Sequence, residues 1–119
     1  MANPVVWFEV QAKDAKKTQA FFAKVFDWKY TFHKEMNYTE VKAGKGGIDG
    51  GIGQTMDGAP AMVTFYVQVD DPDAYLAKAK NAGGKVLMKT MAVPGGPTIA
   101  MFATPGGQAI GLIKTGSMQ

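Results

Sequence analysis

Two stretches of this 119-residue chain repeat each other at a distance of 57 positions. The first, VVWFEVQAKDAKKTQAFFAKVFDW, runs from Val5 to Trp28, and the second, VTFYVQVDDPDAYLAKAKNAGG, from Val63 to Gly84. Val6 meets Val63, Phe8 meets Phe65, Val10 meets Val67, Gln11 meets Gln68 and Asp14 meets Asp71, five identities in nine positions. An internal repeat constrains the fold before any single residue does, because each copy must form the same supersecondary unit. The chain is therefore two similar halves, module one over about 4–56 and module two over about 61–115, within one domain spanning 1–119.

Each half opens on a two-residue period and then changes to a helical one. In the first strand Val6, Phe8, Val10 and Ala12 alternate with Trp7, Glu9 and Gln11. The apolar set faces the following helix, and the other set faces solvent or a concave interior. Asp14 is placed to cap that helix, along which Thr18, Phe21, Phe22, Val25 and Phe26 recur at three- and four-residue spacing. This stripe predicts a sheet-facing core. Strands are expected over Lys29–Glu35, Tyr38–Val41 and Asp49–Gln54, with a glycine-rich loop before and within the last. Asp57-Gly58-Ala59-Pro60 joins the halves. In the second half, Met62–Val69 reads as a strand and Asp71-Pro72 as a helix start, with proline at the first helical position. Tyr75, Leu76, Ala79 and Ala82 supply the apolar helix face, and strands follow over Lys85–Met91, Thr98–Ala103 and Gln108–Lys114. The order is βαβββ twice, an α+β fold.

Composition removes several functions. An apolar content of 46% with only 19% charged residues argues against disorder. No apolar run reaches the roughly 20 residues needed to span a bilayer, and MANPVVWFEV lacks the pattern of a secretory signal, so no membrane association and a cytoplasmic location are expected. Without cysteine there is no disulfide, thiolate ligand or thiol nucleophile. The net charge of +3 comes from scattered lysines with no arginine, unlike the clustered basic face of a nucleic-acid binder. The loop Gly44–Gly53 contains no phosphate-cradling pattern.

Several motifs in order resemble the vicinal oxygen chelate superfamily, which includes glyoxalases, bleomycin-resistance proteins and extradiol dioxygenases. They are the opening strand leading to Asp14, the run Phe21-Phe22 and Val25-Phe26-Asp27-Trp28, the mid-chain VQVDDPDAYLAKAKNAGGKV, and the closing TPGGQAIGL. The resemblance implies two βαβββ modules whose curved mixed sheet forms a cleft, with the helices outside, and association as a homodimer. It also implies a divalent metal held from the first and last strands of each module. Carried onto this chain, those four positions are Trp7, Gly53, Thr64 and Gly111. Indole and glycine offer no ligand and a lone threonine hydroxyl is a poor one, so no metal or other cofactor is expected.

The residues that remain describe a binding surface. Trp7, Glu9 and Gln11, with Thr64, Tyr66 and Gln68 answering them across the repeat, share the side that the resemblance turns toward the cleft. Aromatic walls with a few polar groups suit a small organic molecule. Glu9 is the weak catalytic candidate, since a carboxylate beside an indole in a partly dry site has its charged form disfavoured. His33, the only histidine, lies between Phe32 and Lys34 and reads as a surface residue. Three readings compete: a metal-free protein binding a small, partly aromatic molecule, a metal-dependent lyase, isomerase or dioxygenase, and an accessory dimerising domain with a filled cleft. The ligand positions favour the first.

Overall fold

In the computed structural model, which describes residues 2–117, each repeat becomes a strand, a helix and three further strands. Met1, Met118 and Gln119, part of the expected 1–119 domain, lie outside the described residues. Module one runs β1 (Val5–Ala12), α1 (Ala15–Phe26), β2 (Lys29–His33), β3 (Tyr38–Lys42) and β4 (Gly50–Gln54). Module two runs β5 (Met62–Val69), α2 (Pro72–Asn81), β6 (Lys85–Ala92), β7 (Thr98–Ala103) and β8 (Ala109–Lys114). The α+β class and the doubled βαβββ order are as the repeat predicts. No helix among the described residues is long and apolar enough to cross a membrane.

The chain divides into two compact units, Trp7–Thr64 and the described residues of Met1–Val6 with Phe65–Gln119. In the Trp7–Thr64 unit the strand order is β2-β3-β4-β1, with β1 and β4 parallel and the other pairs antiparallel. The parallel pair requires a crossover, which α1, β2 and β3 supply. In the Phe65–Gln119 unit the order is β5-β8-β7-β6, again with one parallel pair, β5 with β8.

Both helices begin on the aspartates that the repeat aligns. Asp14 accepts a hydrogen bond from the Lys17 amide at 3.1 Å, and Asp71 accepts one from the Ala74 amide at 3.4 Å. Each satisfies one of the orphan donors of a first helical turn. Pro72 follows its cap at the start of α2. At the far end of α1, Asp27 turns left-handed, with φ 56°, and donates its amide to the Ala23 carbonyl.

Two sequence expectations are corrected. The strand predicted over Lys29–Glu35 stops at His33, because Lys34–Met36 closes a 3-10 turn that ends on left-handed Asn37. The stripe on α1 is also wider than the face that packs. Phe21, Val25 and Phe26 are 60%, 52% and 54% exposed, and no residue of α1 is fully buried. Phe22 is half-buried and gathers the aromatic rings, 5.1 Å from Trp28 and 6.0 Å from Phe26 between centroids. Full burial of a phenylalanine contributes about 1.5–3 kcal/mol, so the outer three supply only part of that within this chain. The core of the Phe65–Gln119 unit conforms better: Val69, Leu76, Ala100 and Leu112 are buried between α2 and the sheet.

Candidate functional site

The face of β1 that turns away from α1 carries the site. Phe8 packs on Trp28 at 5.4 Å between ring centroids, and Thr39, paired through Ile52 with Val10, accepts from the Gln19 side chain of α1 at 2.8 Å. That side of the sheet therefore belongs to the helix. Trp7, Glu9 and Gln11 alternate onto the other.

There they meet a residue that sequence reasoning missed. The Trp7 indole Nε1 donates to the Tyr38 hydroxyl at 3.0 Å, and that hydroxyl in turn donates to Glu9 Oε1. Gln11 Nε2 donates to the other carboxylate oxygen. Trp7, Tyr38, Glu9 and Gln11 thus form one hydrogen-bonded chain centred on the carboxyl of Glu9, a residue 7% exposed. Burial pushes the Glu9 carboxyl above its ordinary range, against the opposing pull of the bonds from Tyr38, Gln11 and Trp7.

Glycine makes this arrangement possible. β4 lies between β1 and β3, with Gly51 opposite both Glu9 and Glu40, and Gly53 opposite both Gln11 and Tyr38. A Cβ on Gly51 would stand 1.7 Å from the Tyr38 hydroxyl oxygen and 2.0 Å from Cζ. On Gly53 it would stand 2.9 Å from Gln11 Nε2. The tyrosine ring crosses the space that any other residue at 51 would fill, and so reaches Glu9 from two strands away. The sequence did carry a signal for it: a strand face made of glycines 51 and 53 must be covered by the side chains of its neighbours.

Beyond Gly51 the same face holds a charged chain. His33 Nε2 lies 2.9 Å from Glu40 Oε1, Lys42 Nζ 3.2 Å from Glu40 Oε2, and Lys42 Nζ 3.4 Å from Asp49 Oδ2. The hydrogen bond with His33 chiefly holds the Glu40 carboxyl below its usual range, while the Glu40 contact pushes the Lys42 ammonium up. His33, expected as a surface residue, is half-buried and pairs with Glu40.

The remaining candidates are placed as follows. Thr64 is buried at the end of the Trp7–Thr64 unit. Tyr66 and Gln68 belong to the other unit. Tyr66 is buried with its ring over Gly111, where a Cβ would stand 2.5 Å from ring carbons, and the Gln68 amide donates to the Pro4 carbonyl at 2.9 Å. The two glycine positions implied as metal ligands are therefore each covered by a neighbour, Gly53 by Gln11 and Gly111 by Tyr66. With tryptophan and threonine as the other two, this donor set does not fit a divalent metal. Among the described residues, no group of three His, Cys, Asp or Glu side chains gathers to hold one elsewhere.

Comparison with known proteins agrees with this architecture. Residues 5–112 match the Glyoxalase/Bleomycin resistance protein/Dioxygenase superfamily, and the chain belongs to it. The anthracycline biosynthesis protein DnrV of Streptomyces peucetius is 28% identical over 95% of this chain and 47% of its own length. The chain spans about half the length of the curated relatives it matches. Among solved structures, a hypothetical protein of Bacillus halodurans C-125 superposes with a TM-score of 0.72 at 9% identity, covering 100% of this chain and 99% of that one. A superfamily member from Vibrio splendidus 12B01 gives 0.63 at 16% identity, covering 95% and 99%. At such identities these two likenesses show the fold alone.

Proposed function

We propose that this member of the Glyoxalase/Bleomycin resistance protein/Dioxygenase superfamily binds a small, partly aromatic organic molecule, without a metal, on the face formed by Trp7, Tyr38, Glu9 and Gln11. The observation that carries the reading is the hydrogen-bonded chain from the Trp7 indole to the Gln11 amide, laid across glycines 51 and 53. It fixes two aromatic rings and a carboxyl in one orientation before any ligand arrives, which lowers the ordering cost of binding. The rings offer stacking surface. Each carboxylate oxygen has a second lone-pair direction beyond the bond it already accepts. A ligand with a hydroxyl or amine suits such a site, and an anionic one does not. The relative named for anthracycline biosynthesis is in keeping with a partly aromatic ligand.

The test is a thermal-shift screen of neutral, cationic and anionic metabolites and antibiotics, since a compound that binds only the folded state raises the melting temperature. Hits are expected among neutral and cationic aromatics. For such a hit, Trp7→Ala should weaken binding about tenfold or more while costing less stability than the roughly 3–5 kcal/mol of a tryptophan removed from a closed core. A preference for carboxylates among the compounds whose binding Trp7→Ala weakens, or a tight stoichiometric metal found by elemental analysis, overturns the reading.

A further inference from the structure

The Phe65–Gln119 unit contains a recess on the opposite side of its sheet from Tyr66. It lies between α2 and strands β5, β7 and β8, has a volume of about 360 Å³, and is lined by Val67, Tyr75, Ala79, Phe102 and Leu112. Pro105, in the turn after β7, stands at its end. Its walls are almost entirely carbon, and they continue from the buried cluster of Val69, Leu76, Ala100 and Leu112.

The repeat explains why the space is there. Extending the 57-residue offset into the helices brings Phe22 onto Ala79, Val25 onto Ala82 and Trp28 onto Lys85. In module one, Phe22 and Trp28 pack tilted at 5.1 Å between centroids, with Trp28 against Phe8 of the first strand. Module two keeps the strand position, with Val67 for Val10, but has the Ala79 methyl and the Lys85 side chain where the other has the Phe22 and Trp28 rings. A space the size of an aromatic ring is left against a formed core. Its volume falls within the range of small-ligand pockets, about 300 Å³ and upward, and exceeds the roughly 150 Å³ of an apolar cavity known to take benzene. One charged group lines it: Lys78, whose ammonium stands 4.4 Å from the centre of the Tyr75 ring. No acidic side chain joins the lining.

We propose that this recess is a binding site for a small aromatic anion, an arylcarboxylate, whose ring takes the place that Phe22 holds in the first repeat and whose charge meets Lys78. Ring and charge are asked for by different residues, so they can be tested apart. The recess lies apart from the face of Tyr66 and Gln68, because Val67 and Val69 alternate with them along β5.

Benzoate and its neutral analogue benzyl alcohol serve as probes, titrated into the full chain and followed by methyl and amide NMR at low salt. Both should shift Val67, Ala79, Ala82 and Leu112 in a saturable way. Benzoate should bind about three- to fivefold tighter, the range of an exposed ion pair, and Lys78→Gln should erase that difference without moving the benzyl alcohol curve. Ala79→Phe, which rebuilds the ring of module one, should abolish both titrations and raise the melting temperature. Should that variant fail to fold, Ala79→Leu carries the same expectation for binding. Unsaturable shifts, shifts confined to Trp7 and Gln11, equal affinity for the two probes, or undiminished binding in a folded Ala79 variant each overturn the proposal.

Discussion

Glu9 is the residue at the centre of the proposed site, and its protonation can be predicted in sign. It faces Tyr38 from β3 and Trp7 and Gln11 from its own strand, while β4 opposes it only with Gly51. None of these neighbours is a cation, so desolvation prevails and the folded-state pKa lies above the unfolded one. The native state then holds a proton that the unfolded chain has released. Stability from this group is full below the ordinary carboxylate range and is lost as pH rises through the folded value. Glu9→Gln removes that loss, and the Gln11 amide can flip to keep both bonds. Melting curves from mildly acidic to neutral pH should therefore fall less for the variant than for the parent. A parallel decline in both would mean that Glu9 is not the group that titrates. Glu40 acts in the opposite sense: its folded pKa is lowered, chiefly by His33, and its contribution is lost as pH falls through that value.

At the scale of the element, β4 shows what a sequence can and cannot reveal. Capping, alternation and repeat placed β5 and β7 at their observed bounds, because Asp71-Pro72 and the flanking glycine turns end them chemically. The Trp7–Glu9–Gln11 face was legible for the same reason, since parity along one strand is a local property. Tyr38 was not, because only the register of β3 on β4 on β1 brings it to Glu9, and register is set by contacts far apart in the chain. The overreach on α1 has a related cause: spacing marks every apolar residue of a stripe but not how far the sheet beneath it extends. Gly51→Ala tests the register argument. With the new methyl 1.7 Å from the Tyr38 hydroxyl oxygen, the ring must leave, and overpacking of this kind costs about 1–3 kcal/mol. In a Tyr38→Ala background the same change should cost much less. Urea denaturation of the four proteins gives the coupling, and additive losses would contradict a ring lying over Gly51.

The whole molecule leaves apolar surface uncovered, and its distribution argues for self-association. Phe21 and Phe26 belong to one aromatic cluster with Phe22 and Trp28, yet each is more than half exposed, as is Phe32 on β2. Scattered exposed leucines or valines need no explanation, but exposed rings held in a cluster mark a contact surface. We propose a homodimer that covers this cluster, because two-fold pairing of identical patches is the commonest soluble assembly and sets like rings against like. The lysines beside it, Lys24 and Lys29, place cations at the margin, where they stay hydrated while the rings close. Sedimentation equilibrium at micromolar protein should give twice 12.7 kDa. Phe21→Ser with Phe26→Ser should shift the mass toward the monomer while leaving the circular dichroism of the folded chain in place. These residues lie on the helix side of the sheet, away from Trp7 and Glu9, so ligand-induced thermal shifts should persist in the variant. A parent that sediments only at 12.7 kDa, or a doubly substituted variant that still dimerises, would assign the exposed rings no part in assembly.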